Sequence, residues 1–228
     1  MTILLYDLAV QGDRRISPFC WRTKYALAHK GLPFETQPVA MTDIPAIAGG
    51  ELKTVPILQD GDKVVGDSWA IVDYLDKAYP DRPAIFSSPE ERGLCRFLEA
   101  WTFSGIIQQL TRIYLKDIHD LVLEKDRAHF RATREARLGC TLEEAVAGRE
   151  ARIVEARASF EPVRVTLTYQ GQPFLSGDRP GYADYIMGGY LLWIDGVGTL
   201  PLFAPGDPML DYFERIRDLH GGIGRKTT

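Results

Sequence analysis

The sequence predicts an α/β unit of about eighty residues followed by an all-helical domain. Two observations carry this expectation. Up to residue 80, short β-prone segments alternate with segments of helical period, whereas after Ser88 the apolar residues recur at helical spacing. The change happens once, at the proline-flanked stretch Tyr79-Pro80-Asp81-Arg82-Pro83-Ala84, which reads as a linker. We therefore expect domains at residues 1–80 and 88–228, joined by residues 81–87. With 228 residues, 45% hydrophobic and 25% charged, the chain has the balance of a globular protein able to bury a sizeable core.

Each element has a local cause. Residues 2–8 are apolar and β-prone, and residues 17–30 follow as a helix carrying Trp21, Tyr25 and Ala28 on one face and Gly31 as its C-terminal stop. Residues 34–39 form a second strand. Segments 56–59 and 63–65 flank Asp60-Gly61-Asp62, whose Asp-Gly pair tolerates positive φ and signals a hairpin. Residues 67–79 close the unit as a helix ended by Pro80, which gives the order β-α-β, an irregular stretch, then β-β-α. Beyond the linker, Ser88-Pro89-Glu90-Glu91 has a capping serine, proline at the first helical position and glutamate three residues after the cap, so a capping box opens a long helix to about Lys116. Thr141-Leu142-Glu143-Glu144 repeats that logic, and Leu142, Val146, Ile153, Ala156, Phe160, Val163 and Leu167 read as one buried stripe.

Composition excludes several functions. Lys and Arg total 27 against 31 Asp and Glu, for a net charge of −4, and no run of like charge offers a footprint for nucleic acid or anionic lipid. The apolar stretch 185–194 is too short to span a bilayer, and the first seven residues hold neither a basic leader nor a small-residue cleavage site, so the expected location is the cytoplasm. Cys20, Cys95 and Cys140 are odd in number and far apart, which suits reduced thiols. His29, His119, His129 and His220 are equally scattered, so no metal centre is expected.

Three junctions could carry chemistry. Ser17-Pro18-Phe19-Cys20 lies where a strand, a loop and a helix bring unpaired amides and the positive end of the helix dipole together, a setting that stabilises a thiolate. The same four residues also suffice for a plain helix cap with proline at its first position. Val55-Pro56-Ile57 puts a proline at the opening of a strand. A cis bond there would turn the Val55 backbone outward to pair with an extended peptide. Asp67-Ser68 opens the next helix, and these two could meet the ammonium and carboxylate of an amino-acid head group or merely cap the helix. Cys20 sits where a redox Cys-x-x-Cys motif has its second thiol, but with serine at the attacking position it reads as a small buried hydrophobe.

The residues together resemble the cytosolic glutathione transferases over nearly the whole chain. The resemblance rests on Ile16-Ser17-Pro18-Phe19-Cys20-Trp21-Arg22-Thr23-Lys24-Tyr25-Ala26-Leu27, the Val55-Pro56 pair, Asp67-Ser68-Trp69 and Tyr74-Leu75-Asp76-Lys77-Ala78-Tyr79-Pro80-Asp81-Arg82-Pro83, which look most like the bacterial β-etherase branch and its fungal etherase-like relatives. It implies a thioredoxin-like first domain, glutathione as co-substrate without a metal, and a homodimer. It places Ser17 in the catalytic position, Val55 and cis-Pro56 on the cysteinyl part of glutathione, Asp67 and Ser68 on its γ-glutamyl end, and Lys53 as a further candidate for the glycine carboxylate. One feature departs from the family. Where Ser or Thr usually stands three residues before a buried Asp, this chain has Gly181-Tyr182-Ala183-Asp184, so the reciprocal side-chain bond should be missing.

The function implied is attack of the glutathione thiolate on an electrophilic small molecule, aromatic or aryl-ether in type, with displacement at carbon. Trp101, Phe103 and Tyr114 either line the electrophile's half of the cleft or belong to the core of a long helix. The alternative is a binding or regulatory protein that keeps the fold without turnover. Ser17 argues against a thiol reductase.

Overall fold

The computed structural model describes residues 2–225; Met1 and residues 226–228, which the expected domain limits include, lie outside the described residues. The first domain runs β1 (Ile3–Leu8), α1 (Pro18–His29), β2 (Phe34–Val39), β3 (Ile57–Asp60), β4 (Lys63–Gly66) and α2 (Ser68–Ala78). Its sheet has the order β2-β1-β3-β4. β1 pairs in parallel with β2 from Ile3 against Phe34 to Leu8 against Val39, a geometry that requires the crossover supplied by α1. β3 runs antiparallel to β1, with Leu5 opposite Leu58, and turns through Gly61, φ 58°, into β4. The sheet and its two helices form a thioredoxin-like unit. The stretch between β2 and β3, irregular by sequence, is wound into 3₁₀ turns over Met41–Gly50.

Alternate residues of β1 turn toward α1, and that puts Asp7 in the interior with Ile3 and Leu5. A carboxylate there needs a counter-charge. Lys24 of α1 supplies it at 2.7 Å, and Arg15 stands 3.8 Å away.

The second domain is helical throughout: α3 (Pro89–Thr102), α4 (Gln108–Leu121), α5 (Glu124–Leu138), α6 (Leu142–Val146), α7 (Arg149–Ala158), α8 (Glu161–Thr168), α9 (Tyr182–Val197) and α10 (Pro208–Gly222). The long helix expected after Ser88 continues past Lys116 to Leu121, with one widened π turn at Phe103–Ile107 between α3 and α4. Among the described residues no helix is long and apolar enough to cross a membrane.

Local chemistry corrects two sequence expectations. At Ser88 the hydroxyl accepts the Glu91 amide at 3.2 Å, but the Glu91 carboxylate reaches one residue too far upstream, to the Ser87 amide at 2.7 Å, so the box is not reciprocal. At Thr141 it is reciprocal, with the Glu144 amide on the hydroxyl at 3.2 Å and the Thr141 amide on the carboxylate at 2.9 Å. The helix so opened is nevertheless short. The chain leaves the helix at Ala147, whose backbone is extended, and Gly148, at φ 67°, caps the start of the next; the expected single stripe is divided over α6, α7 and α8, although Leu142, Ile153, Ala156, Phe160 and Val163 all still face the core.

The domains meet where α9 lies against the start of α1. The approach is so close that a Cβ on Gly189 would stand 2.4 Å from the Pro18 carbonyl oxygen. α9 is anchored by Asp184, whose buried carboxylate accepts the amides of Leu175 at 2.7 Å and Gly181 at 3.0 Å and the Tyr212 hydroxyl at 2.9 Å. Glycine at 181 has no side chain to return a bond, and a Cβ there would meet Ser176 Oγ at 2.6 Å.

Candidate functional site

A cleft of about 920 Å³ opens between the domains. The first domain contributes Ser17, Lys53, Val55, Pro56, Asp67 and Ser68 to one wall, which brings together every residue that the sequence pointed to for glutathione. Ser17, Asp67 and Ser68 sit at the starts of helices and Pro56 just before β3, where backbone groups are unpaired, and Lys53 and Val55 lie in the loop leading to β3.

Ser17 caps α1. Its hydroxyl oxygen accepts the Cys20 amide at 3.2 Å, which leaves the hydroxyl proton available to donate into the cleft it lines. Pro18 fills the first helical position, so the positive end of the α1 dipole is presented at the same place. Cys20, one turn further in, is fully buried. Burial, and then the charge of Asp7, push its thiol well above the ordinary range, which disfavours a thiolate there.

The Val55-Pro56 bond is cis. Asp67 adopts φ 69°, and its Oδ1 accepts the amides of Trp69 at 2.9 Å and Ala70 at 3.0 Å, so it is the cap of α2 as well as a cleft residue. Ser68 beside it is buried.

Beneath this wall an ion pair joins three helices. Arg22 of α1 has no exposure and lies over the rings of Phe19 at 4.7 Å and Tyr190 at 5.4 Å. Its guanidinium donates to Glu99 of α3, and the same carboxylate accepts the indole N–H of Trp69 in α2. Glu99 thereby fixes the start of α1 relative to the start of α2. At the other end of the cleft, Asp126 of α5 accepts the amides of Met41 at 2.9 Å and Thr42 at 3.0 Å and the Thr42 hydroxyl at 2.6 Å.

The opposite wall is helical. Phe103, Ile107, Thr111, Leu115 and Ile118 descend along the π turn and α4 at intervals of four, four, four and three, with Tyr190 and Trp193 of α9 beside them. Of the three aromatic residues singled out by sequence, Phe103 is in this wall. The other two are not. Tyr114 is buried with its hydroxyl donating to the Leu200 carbonyl at 2.8 Å, and Trp101 packs half-buried against the helical core. From α5 come Phe130, His129, Arg134 and Arg137, none of which sequence reasoning identified.

Family models match both halves of the chain: residues 16–78 match the N-terminal domain of the glutathione S-transferases and residues 93–199 their C-terminal domain. The chain belongs to the glutathione S-transferase superfamily. It is 28% identical over 194 residues to the probable glutathione S-transferase GSTU6 of Oryza sativa subsp. japonica, a match covering 81% of this chain and 71% of the rice protein. Curated transferases matched at higher identity, 42% and 37%, are matched over only 41% and 40% of their own length. Among solved structures, glutathione transferase GSTFuA3 of Phanerochaete chrysosporium superposes with a TM-score of 0.83 at 25% identity, covering 95% of this chain and 96% of that one. The transferase CsGST63524 of Ceriporiopsis subvermispora, solved in complex with glutathione, gives 0.77 at 26% identity and covers 100% and 95%.

Proposed function

We propose that the chain is a glutathione transferase that binds glutathione along the first-domain wall and joins its sulfur to an aromatic or aryl-ether electrophile held against the helical wall. The observation that carries this is the convergence of Ser17, Lys53, Val55, Pro56, Asp67 and Ser68 on one cleft at the starts of two helices. Ser17 is the catalytic residue. Its hydroxyl donates to the glutathione sulfur and, with the α1 dipole, favours the thiolate over the thiol. The Val55 backbone next to Pro56 pairs with the cysteinyl unit, the Asp67 carboxylate takes the γ-glutamyl ammonium, Ser68 and the first amides of α2 take its carboxylate, and Lys53 takes the glycine carboxylate.

The electrophile lies between the sulfur and Phe103, with Tyr190 and Trp193 flanking it. In the reaction a C–S bond forms, a C–O or C–halogen bond breaks, and the leaving group departs with its electron pair as phenolate or halide. A homodimer is the expected assembly, to be checked by light scattering. Retention on immobilised glutathione, together with turnover of β-aryl ether, aryl halide and peroxide substrates assayed with and without glutathione, tests the reading. Glutathione-dependent release of phenolate or halide is expected. Retention without turnover of any of them would instead support a binding protein.

A further inference from the structure

The helical wall is not uniformly apolar. Phe130, Arg134 and Arg137 follow one another on α5 at intervals of four and three, a single helical stripe, and all three line the cleft. The other cations of that helix are each matched by a carboxylate: Lys125 by Asp43 at 2.5 Å, Arg127 by Glu124 at 2.6 Å, and Arg131 by Glu135 at 2.8 Å and Glu143 at 2.9 Å. Arg134 and Arg137 differ from these. Among the described residues no carboxylate lies within ion-pair distance of either, and the hydrogen bond Arg134 does make is to the neutral Thr133 hydroxyl at 2.9 Å.

The arrangement has a cost that a ligand would remove. Arg134 is partly desolvated and stands near the like charge of Arg137, and both effects weigh against its cationic form. Its guanidinium is held over the Phe130 ring at 4.6 Å, which orders the planar fork in advance of any ligand. Among the described residues Asp67 is the sole carboxylate lining the cleft, and it belongs to the first-domain wall with Oδ1 already taken by the α2 amides. The electrophile half therefore presents an apolar floor from Phe103 to Ile118 and, along one edge, a pair of cations with no counter-charge. That combination matches a molecule with an aromatic body and an oxyanion at its end.

We propose that Arg134 and Arg137 form a carboxylate-binding subsite on the α5 wall, and that the electrophile joined to glutathione is an aromatic carboxylate. The second half of this statement rests on the transferase reading above; the first half does not. Arg134 forms the charge-assisted, bidentate contact, and Arg137 adds the second positive charge. The scissile carbon is left toward the sulfur at the start of α1. With an aryl chloride the sulfur bonds to the ring carbon, the C–Cl bond breaks, and chloride leaves with the electron pair.

The test uses two matched pairs of probes. Binding of dinitrobenzoate and of dinitrobenzamide is measured calorimetrically without glutathione, and turnover of para-chlorodinitrobenzoate and its amide is measured with it. In the parent protein the carboxylate should bind about ten- to a hundredfold more tightly than the amide, the factor that one or two charge-assisted hydrogen bonds supply. In Arg134→Gln/Arg137→Gln that preference should collapse to within about threefold, as expected when only screened, distant charges remain. Glutathione affinity and turnover of the amide should stay at the parental level, and the thermal midpoint should fall by no more than a few degrees, because no ion pair is lost and only the Phe130 ring contact and the Thr133 hydrogen bond are given up. Equal binding of carboxylate and amide by the parent, or a preference that survives in the double variant, overturns the subsite. A matching loss of glutathione affinity would assign the two arginines to the tripeptide's own glycine carboxylate and also overturns it. No turnover with either chloride, while the binding preference and its loss in the variant persist, refutes the transferase reading and leaves the anion subsite standing.

Discussion

Replacing Gly189 by alanine tests whether the contact between α9 and the start of α1 holds the site together. The added Cβ would stand 2.4 Å from the Pro18 carbonyl oxygen and 3.3 Å from its carbon, against a floor of 3.0 Å that real Cβ atoms respect, so the two helices must separate by at least about 0.6 Å at this point. Both obstructing atoms are backbone, and no rotamer change relieves them. Alanine raises helix propensity by about 1 kcal/mol over glycine. Against that, overpacking an interior costs about 1–3 kcal/mol and more where backbone must move. We expect a net loss of about 2 kcal/mol, which in a chain of this size lowers the thermal midpoint by about 4–8 °C. Gly93 is the internal control: it lies exposed within α3 with nothing within 4 Å of an added Cβ, so Gly93→Ala should gain about 0.5–1 kcal/mol. Scanning calorimetry of both variants decides the matter. A Gly189→Ala midpoint at or above the parent's would show that the interface is softer than this geometry requires. Transferase activity should fall with it, because Ser17 immediately precedes the displaced residue.

Other outcomes follow from single residues. Ser17→Ala should lower transfer about tenfold, the effect of one hydrogen bond worth roughly 1.4 kcal/mol, while helix dipole and backbone contacts sustain a residual rate; full activity across the range where the glutathione thiol titrates would reduce Ser17 to a cap. Ser17→Cys should gain reduction of small mixed disulfides and lose transfer to carbon, readable by following both reactions. Asp67→Asn keeps an acceptor for the α2 amides and tolerates the positive φ, so calorimetry should find glutathione binding weakened about tenfold with the melting midpoint nearly unchanged; unchanged binding would remove Asp67 from the ammonium site. Asp126 is pushed up by burial, but its bonds from Thr42 and Met41 pull it further down, so its carboxyl titrates below the ordinary range. Its contribution to stability is therefore present above the unfolded carboxylate's pKa and lost as pH falls through the folded one. Asp126→Ala should cost about 1–3 kcal/mol at neutral pH and flatten the acid limb of the stability profile, as measured by urea unfolding between neutral and strongly acidic pH.

The first wall was legible in the sequence because its features are local. A serine before a proline, a proline after Val55 and an aspartate before a serine each announce the end of an element, and ends are where backbone groups stay unpaired. The second wall was not, since Phe103, Ile107, Thr111, Leu115 and Ile118 have the same helical period as any buried stripe, and only the neighbour they face makes them a cleft. Tyr114 and Trp101 show the converse, aromatic residues of the same region that turn to the core. Tyr190 and Trp193 lie in a helix apolar on every side. For Arg134 and Arg137 composition is silent, because a row of alternating charges does not reveal which cations find partners until the helices are placed. The division of the expected stripe at Ala147-Gly148 has a similar origin: glycine is tolerated in helices, and here its positive φ places it as the cap that starts a new one.

The Glu99 carboxylate has a consequence for how the two halves of this molecule can change. It is supplied by the helical domain, yet its two partners are Arg22 and Trp69 of the sheet domain, and Arg22 is shut away from water between aromatic rings. A guanidinium in that position has no tolerable solitary state: removing the carboxylate from such a pair costs about 3–5 kcal/mol. The first domain is thus not a detachable cassette. A chimera that grafts onto it a helical domain with no acid at the position of Glu99 inherits a stranded charge directly under Phe19 and Tyr190, and would have to replace Arg22 in the same step. Divergence of the electrophile wall is free to proceed along α4 and the later turns of α5, while Glu99 near the end of α3, like Asp126 at the start of α5, remains bound to the sequence of a domain it does not belong to.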